Sequence, residues 1–208
     1  MSSQPTLDRR IERTRRSLRD AVLKLAETED LDDISVHDIT RKAGINRATF
    51  YQHYRDKHEL IAQTVDFLLQ QLFDGCAPVL SGEEHLESDR VHSSVIQIFE
   101  EVARRAPLYR RLIGHGGSAY FIDRFQARNV ELSLKAFSHM DEPPGADQAP
   151  DNARAYFGAW ATLGMLSYWL DHDLAESPEA MAAWYWRLIR PVFFDEIGDL
   201  GAIKPGTR

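Results

Sequence analysis

The chain has a single cysteine, Cys76, so no disulfide can form within it and a redox sensor built on a cysteine pair is excluded. A lone thiol near a helix end reads first as a small apolar residue and only second as a reactive group. No stretch approaches the roughly 18 uninterrupted apolar residues of a membrane-spanning helix. Met1 to Leu7 is polar and runs into Arg9 and Arg10, without the apolar core of a secretory signal. The expectations are no membrane partner and a cytoplasmic address. Sustained apolar–polar alternation is missing and so are β-branched runs, so strands are not expected. The eight histidines make no His-x-x-x-His or Cys/His cluster, so no metal and no other cofactor is expected. A Gly-x-Ser-x-Gly elbow is also lacking. Gly114-His115-Gly116-Gly117 has no strand before it and no Gly-Lys-Ser/Thr after it, so it reads as a helix break and not a phosphate cradle. Asp171-His172-Asp173 are helix neighbours whose side chains diverge, which suits a solvated helix end. An enzyme is not expected.

Excess positive charge is lacking too: the net charge is −7, which taken alone argues against nucleic acid. Its distribution argues otherwise. Residues 1–60 hold 12 Lys/Arg against 11 Asp/Glu, and the other 148 residues hold 13 against 21. Arg9, Arg10, Arg13, Arg15, Arg16 and Arg19 face only Asp8 and Glu12, so a basic N-terminal segment precedes an acidic body. With 43% hydrophobic and 27% charged residues the composition is that of a globular protein. At about 150 residues per domain, 208 residues make one or two.

The punctuation predicts an all-α fold of about nine helices. A first helix over about 8–28 carries Leu18, Ala21, Val22 and Leu25 on one stripe. Ser35-Val36-His37-Asp38 has the spacing of a capping box and opens a short helix over about 36–43, which Gly44 ends. Asn46 caps a second short helix, about 47–53, and Asp56 caps a longer one, about 57–74. Residues 75–89 read as a junction. Helices are expected over about 90–105, 107–113, 118–139 and 151–173, with a Pro- and Gly-rich loop at 141–150. Ser177-Pro178-Glu179 starts the last helix, which runs to about Ile197, and 201–208 reads as a loose tail.

Residues 34–58 carry the function. Two short helices joined by a turn at Gly44 have helix-turn-helix geometry. If Ile39, Ile45 and Phe50 clamp them together, the outer face of the second presents Arg47, Ala48, Thr49, Tyr51, Gln52 and His53, rich in donors and free of carboxylates. A major groove flanked by phosphates takes such a surface. Residues 9–62 resemble the tetracycline-repressor (TetR/AcrR) family of bacterial transcription regulators. The resemblance rests on Ile39-Thr40-Arg41-Lys42-Ala43-Gly44-Ile45, Thr49-Phe50-Tyr51-Gln52-His53-Tyr54 and Lys57-His58-Glu59-Leu60-Ile61.

The resemblance implies an N-terminal three-helix DNA-binding head over 1–56 and a helical ligand-binding and dimerisation body over 57–200. It implies a homodimer whose two heads read a pseudo-palindromic operator in double-stranded DNA. By position, Arg47, Ala48, Thr49, Gln52 and His53 face bases or nearby phosphates, and Tyr51 and Lys57 hold phosphate. Val36 and His37 stand where the family places a phosphate contact, although the Val36 side chain has no donor. Thr40 stands where a small Ala is usual. For Arg47 a bidentate contact to guanine and a plain phosphate contact remain alternatives. The function implied is a repressor released by a small hydrophobic or aromatic effector. The alternative is a helix-turn-helix protein with no small-molecule effector, controlled by a protein partner. In the body, Phe67, Phe99, Tyr109, Tyr120, Phe121, Phe125, Tyr156, Trp160 and Trp169 are the candidate pocket walls. Ala155, Gly158, Ala159 and Thr162, small enough for close helix approach, and Trp184 and Leu188 are the candidates for the dimer interface.

Overall fold

Caps set the start of nearly every helix. In the computed structural model, which describes residues 4–81, 83, 90–139 and 149–194, all regular structure among the described residues is helical. The elements are α1 (Gln4–Leu25), α2 (Val36–Ala43), α3 (Arg47–His53), α4 (Lys57–Phe73), a 3₁₀ turn (Asp74–Cys76), α5 (Ala77–Leu80), α6 (Ser93–Arg104), α7 (Ala106–Ile113), α8 (Ala119–Phe137), α9 (Asp151–Asp171) and α10 (Pro178–Phe194). The nine expected helices are present. The turn and α5 add to them inside the expected junction, where Pro78 occupies the first helical turn and its missing N–H costs nothing. α1 begins earlier than predicted and stops at Leu25, with Thr28 and Glu29 closing turns onto the Leu25 carbonyl. α6 begins at Ser93 because His92 Nδ1 caps it, accepting from the Ser94 N–H at 3.2 Å. The tail over 201–208, residues 195–197 of the predicted last helix and most of the 141–150 loop lie outside the described residues.

The head and the body share one buried cluster that runs from Leu18 to Ile189. α1 packs on α2, α3 and α4. α4 joins the two parts, packing on α1 and also on α6 and α8. α8 and α9 pair along their length, and α10 lies against α6 and α9. Leu60, Leu68 and Leu72 of α4 are fully buried, so this helix has an inward stripe along its whole length. Arg111 of α7 pairs with Asp30 of the α1–α2 loop, and Arg124 of α8 pairs with Asp66 of α4.

Candidate functional site

The turn between α2 and α3 is built as its sequence predicts. Ser35 caps α2, accepting from the Asp38 N–H at 3.2 Å, while its own hydroxyl donates to the Asp38 carboxylate. That bond, more than the neighbouring Arg41, holds the Asp38 carboxyl below the usual carboxylate range. Gly44 takes φ +64°, which places the Ile45 N–H 3.0 Å from the Thr40 carbonyl and closes the end of α2. Asn46 Oδ1 then accepts from the Ala48 N–H at 2.8 Å, and α3 begins in a new direction. Ile39 and Phe50 are fully buried, and Ile45 packs at the edge of the same cluster. The fully buried Phe50 side chain fixes the roll of α3 about its axis, and Tyr51 meets its ring edge-on with centroids 5.2 Å apart.

With Phe50 held inward, Arg47, Ala48, Tyr51 and Gln52 lie on the exposed side of α3, with Thr49 and His53 half-buried beside them. Arg47 Nη2 donates to the Tyr51 hydroxyl at 3.3 Å, and its guanidinium lies 5.6 Å from the Tyr51 ring. The pair leaves the Tyr51 O–H free to donate outward. His37 is exposed, and Val36 is half-buried against the core with no polar side-chain atom to offer. Thr40 is buried, and its hydroxyl donates to the Val36 carbonyl at 2.8 Å, so a residue larger and more polar than Ala sits there without an unpaired group. Lys57 faces inward more than its assignment to phosphate implies. Its ammonium donates to the Asp32 carbonyl at 2.6 Å and the Ile34 carbonyl at 3.1 Å, tying the start of α4 to the α1–α2 loop and leaving one N–H for an outside acceptor. Of the six arginines of α1, five are exposed. Arg19 instead lies 3.6 Å over the Phe67 ring.

The nine aromatic candidates do not share one cavity. Phe67 is under Arg19, on the α1 side of α4. Tyr109, Phe121 and Phe125 stack in series and reach Phe73, and Phe99 meets Trp169 edge-on: all are packed core. Tyr120 is exposed beside a groove lined by Leu31, Arg55, His58 and Asp66. Tyr156 and Trp160 are on the outer surface of α9. A cavity of about 100 Å³ lies elsewhere in the body, between the end of α4, the 3₁₀ turn, α5, α6, α8, α9 and α10. Phe73, Val95, Ile98, Leu132 and Trp186 form its apolar wall, and Cys76, Ser94, Asn129, Ser133, Thr162 and Tyr185 bring polar atoms to it. A signal for it stood in the sequence: Gln126, Asn129 and Ser133 recur on the face of α8 that also holds Phe125, Leu132 and Ala136. Burial pushes the Cys76 thiol up to about 11 and the Tyr185 hydroxyl up to about 12, so both stay protonated at neutral pH. A protonated thiol is a poor nucleophile.

The small residues of α9 are spent inside the chain. Ala155, Gly158, Ala159 and Thr162 are buried against α8 and α10, with the Ala159 carbonyl accepting from Gln126 Nε2 and a Cβ on Gly158 landing 4.0 Å from Ile189. The helices these small residues admit closely belong to the same chain. The opposite side of α9 and the adjoining side of α10 are apolar and uncovered: Tyr156, Phe157, Trp160, Tyr168, Trp184 and Leu188 are 40–68% exposed. Trp184 and Leu188 lie on this exposed face together with Phe157 and Tyr168. Elsewhere, Gly116 (φ +77°) makes the 114–117 segment a turn after α7, and Asp173 pairs with Arg110 at 2.9 Å. Among the described residues no group of three or more His, Cys, Asp or Glu side chains is placed to hold a metal ion, and no helix is long and apolar enough to cross a membrane.

Comparison with known proteins agrees with this architecture. Residues 18–64 match the model of the bacterial regulatory proteins of the tetR family, and residues 89–190 match that of a transcriptional regulator C-terminal region. An uncharacterized HTH-type transcriptional regulator of Bacillus subtilis (strain 168), YxbF, is 31% identical over 179 residues, which is 85% of this chain. This chain spans 44% of that relative's length. Among solved structures, a TetR transcriptional regulator from Streptococcus agalactiae superposes with a TM-score of 0.68 at 19% identity, covering 90% of this chain and 99% of the other. A TetR-family regulator from Syntrophomonas wolfei gives 0.67 at 16% identity, over 87% and 95% of the two chains. At such identities the likeness is one of fold.

Proposed function

This chain belongs to the tetR family of bacterial regulatory proteins, and from that premise we propose that it acts in the cytoplasm as a homodimeric repressor, released from its operator by a small, mostly apolar effector. Residues 1–56 are the DNA-binding head and 57–200 the sensing and dimerising body. The observation that carries the reading is the outer face of α3, where Arg47, Tyr51 and Gln52 are exposed together with no carboxylate on the helix. Phosphate contacts from His37, Tyr51 and the remaining N–H of Lys57 position the head, and Arg47 and Gln52 read base edges. The two heads of a dimer engage half-sites about one helical turn, or a multiple, apart.

Release uses α4 as a lever. Its 17 residues span about 26 Å at 1.5 Å per residue. Phe73 at its far end lines the cavity, and Lys57 at its near end holds the α1–α2 loop. An effector that binds better when the cavity walls are displaced favours a state in which α4, and with it the head, has turned. Only that difference in affinity drives the change. A titration of labelled random-sequence duplex over a salt series tests the DNA-binding claim. The wild type loses affinity steeply with salt, and the Arg47→Ala/Tyr51→Ala double variant binds more weakly at each concentration. Equal binding by both proteins would overturn the assignment of α3.

A further inference from the structure

The cavity of the body has a size, a charge and a polarity pattern that together specify what fills it. At about 10–15 Å³ for each water-sized group, about 100 Å³ takes on the order of seven to ten non-hydrogen atoms. None of its lining residues is Asp, Glu, Lys, Arg or His. Arg128, whose charge is felt at Cys76, is engaged by Glu131 at 2.8 Å on the surface. A charged ligand would lose its water with nothing to replace it.

The polar groups at the wall are not all spent within the chain. Thr162 gives its one proton to the Gly158 carbonyl at 2.8 Å. Its 2.8 Å contact with the Tyr185 hydroxyl therefore takes the tyrosine's proton, which leaves the Tyr185 oxygen as an acceptor. Ser133 donates to Asn129 Oδ1 at 3.4 Å, which orients the amide and leaves the Asn129 NH₂ as a donor. Asn129 is 91% buried as a residue, and its side chain lines the cavity. A donor that opens onto a cavity can exchange water for a ligand carbonyl.

We propose that this cavity binds an uncharged molecule of about ten or fewer non-hydrogen atoms, in which a hydrogen-bond acceptor and an adjacent donor, as in a primary carboxamide, sit on a small apolar ring or short chain. Asn129 donates to the acceptor, Tyr185 accepts from the donor, and Phe73, Val95, Ile98, Leu132 and Trp186 hold the apolar part. The inference rests on the reading of the body as an effector sensor and names the class of effector.

Benzamide and benzoate, equal in size and differing in charge, are the probes. They are titrated to about 10 mM against the full chain without DNA, following heat and tryptophan fluorescence. Benzamide is expected to bind saturably, once per chain, with a change in indole emission from Trp186, and benzoate at least about tenfold more weakly. Asn129→Leu is expected to weaken benzamide about tenfold, and Tyr185→Phe, which keeps the ring, to weaken it severalfold. Thermal unfolding of each variant shows whether it is folded. Benzoate binding as tightly as benzamide, no saturable benzamide binding, or folded variants that bind it unchanged would each overturn the proposal. DNA is absent, so this outcome is separate from effector control. Saturable benzamide binding that leaves the protein on duplex would overturn release and leave the ligand class standing.

Discussion

Arg47 and Lys57 are both basic residues of the head, yet the structure gives them different work, and their variants separate it. Arg47 is exposed, and its guanidinium reaches the Tyr51 hydroxyl and ring. Arg47→Ala is expected to cost about 1–3 kcal/mol on the preferred sequence and to relax the preference at one base position, as read by competition with operators altered one base at a time. Lys57 is bound to two carbonyls of the α1–α2 loop. Lys57→Ala is therefore expected to lower the salt slope of DNA binding by about one and also to lower the thermal midpoint, which a pure phosphate contact would leave alone. Spacing in sequence marked both residues, and only three-dimensional packing could reveal that one holds a loop 23 residues away. Cys76 makes a different prediction. Its thiol is raised to about 11 against about 9 when unfolded, so folding favours the protonated form. That contribution is fully present below about pH 9 and is lost as pH rises through 11. Denaturant unfolding of the wild type is expected to weaken across that window more than that of Cys76→Ala; parallel pH profiles would contradict it.

At the scale of elements, the head was legible because its signals are local. Ser35, Asn46 and Asp56 cap within three residues, and Gly44 ends α2 by a backbone conformation that other residues resist. A Cβ on Gly44 would meet nothing within 4 Å, so Gly44→Ala is expected to cost only the backbone penalty of about 1–2 kcal/mol. Gly44→Asn is expected to cost less, and chemical denaturation measures both. The body was less legible because helix pairing is not local. Aromatic residues of α6, α7 and α8 read alike in sequence whether they fill a core or line a hole. In the fold, Tyr109, Phe121 and Phe125 lock into one another, and the opening falls beside the polar stripe of α8. The α9 small residues misled in a similar way, since they admit a close neighbour without saying whose. The Asp30–Arg111 tie is also invisible in sequence. Arg111→Ala is expected to leave global stability within about 1 kcal/mol, as exposed pairs do, while amide exchange in the 26–34 loop quickens.

For the whole molecule, the uncovered face of α9 and α10 decides the assembly. A helix apolar on nearly every side, as α9 is, needs cover on every side. Its inner side is covered by α8 and α10, while Tyr156, Phe157 and Trp160, with Trp184 and Leu188 of α10, stay exposed and form the face proposed to meet a second copy. The double variant Trp160→Glu/Leu188→Glu is expected to sediment as a folded monomer that binds duplex far more weakly, because one head has only one half-site to hold. The central claim, a paired reader of DNA sequence, meets its most direct test in selection of bound DNA from a random duplex pool by the purified chain at about 150 mM salt, where nonspecific attraction is weakened. An enriched pseudo-palindrome whose half-sites lie about one helical turn, or a multiple, apart is the expected result. A pool that stays random after repeated rounds, while the protein remains folded and dimeric, would contradict it.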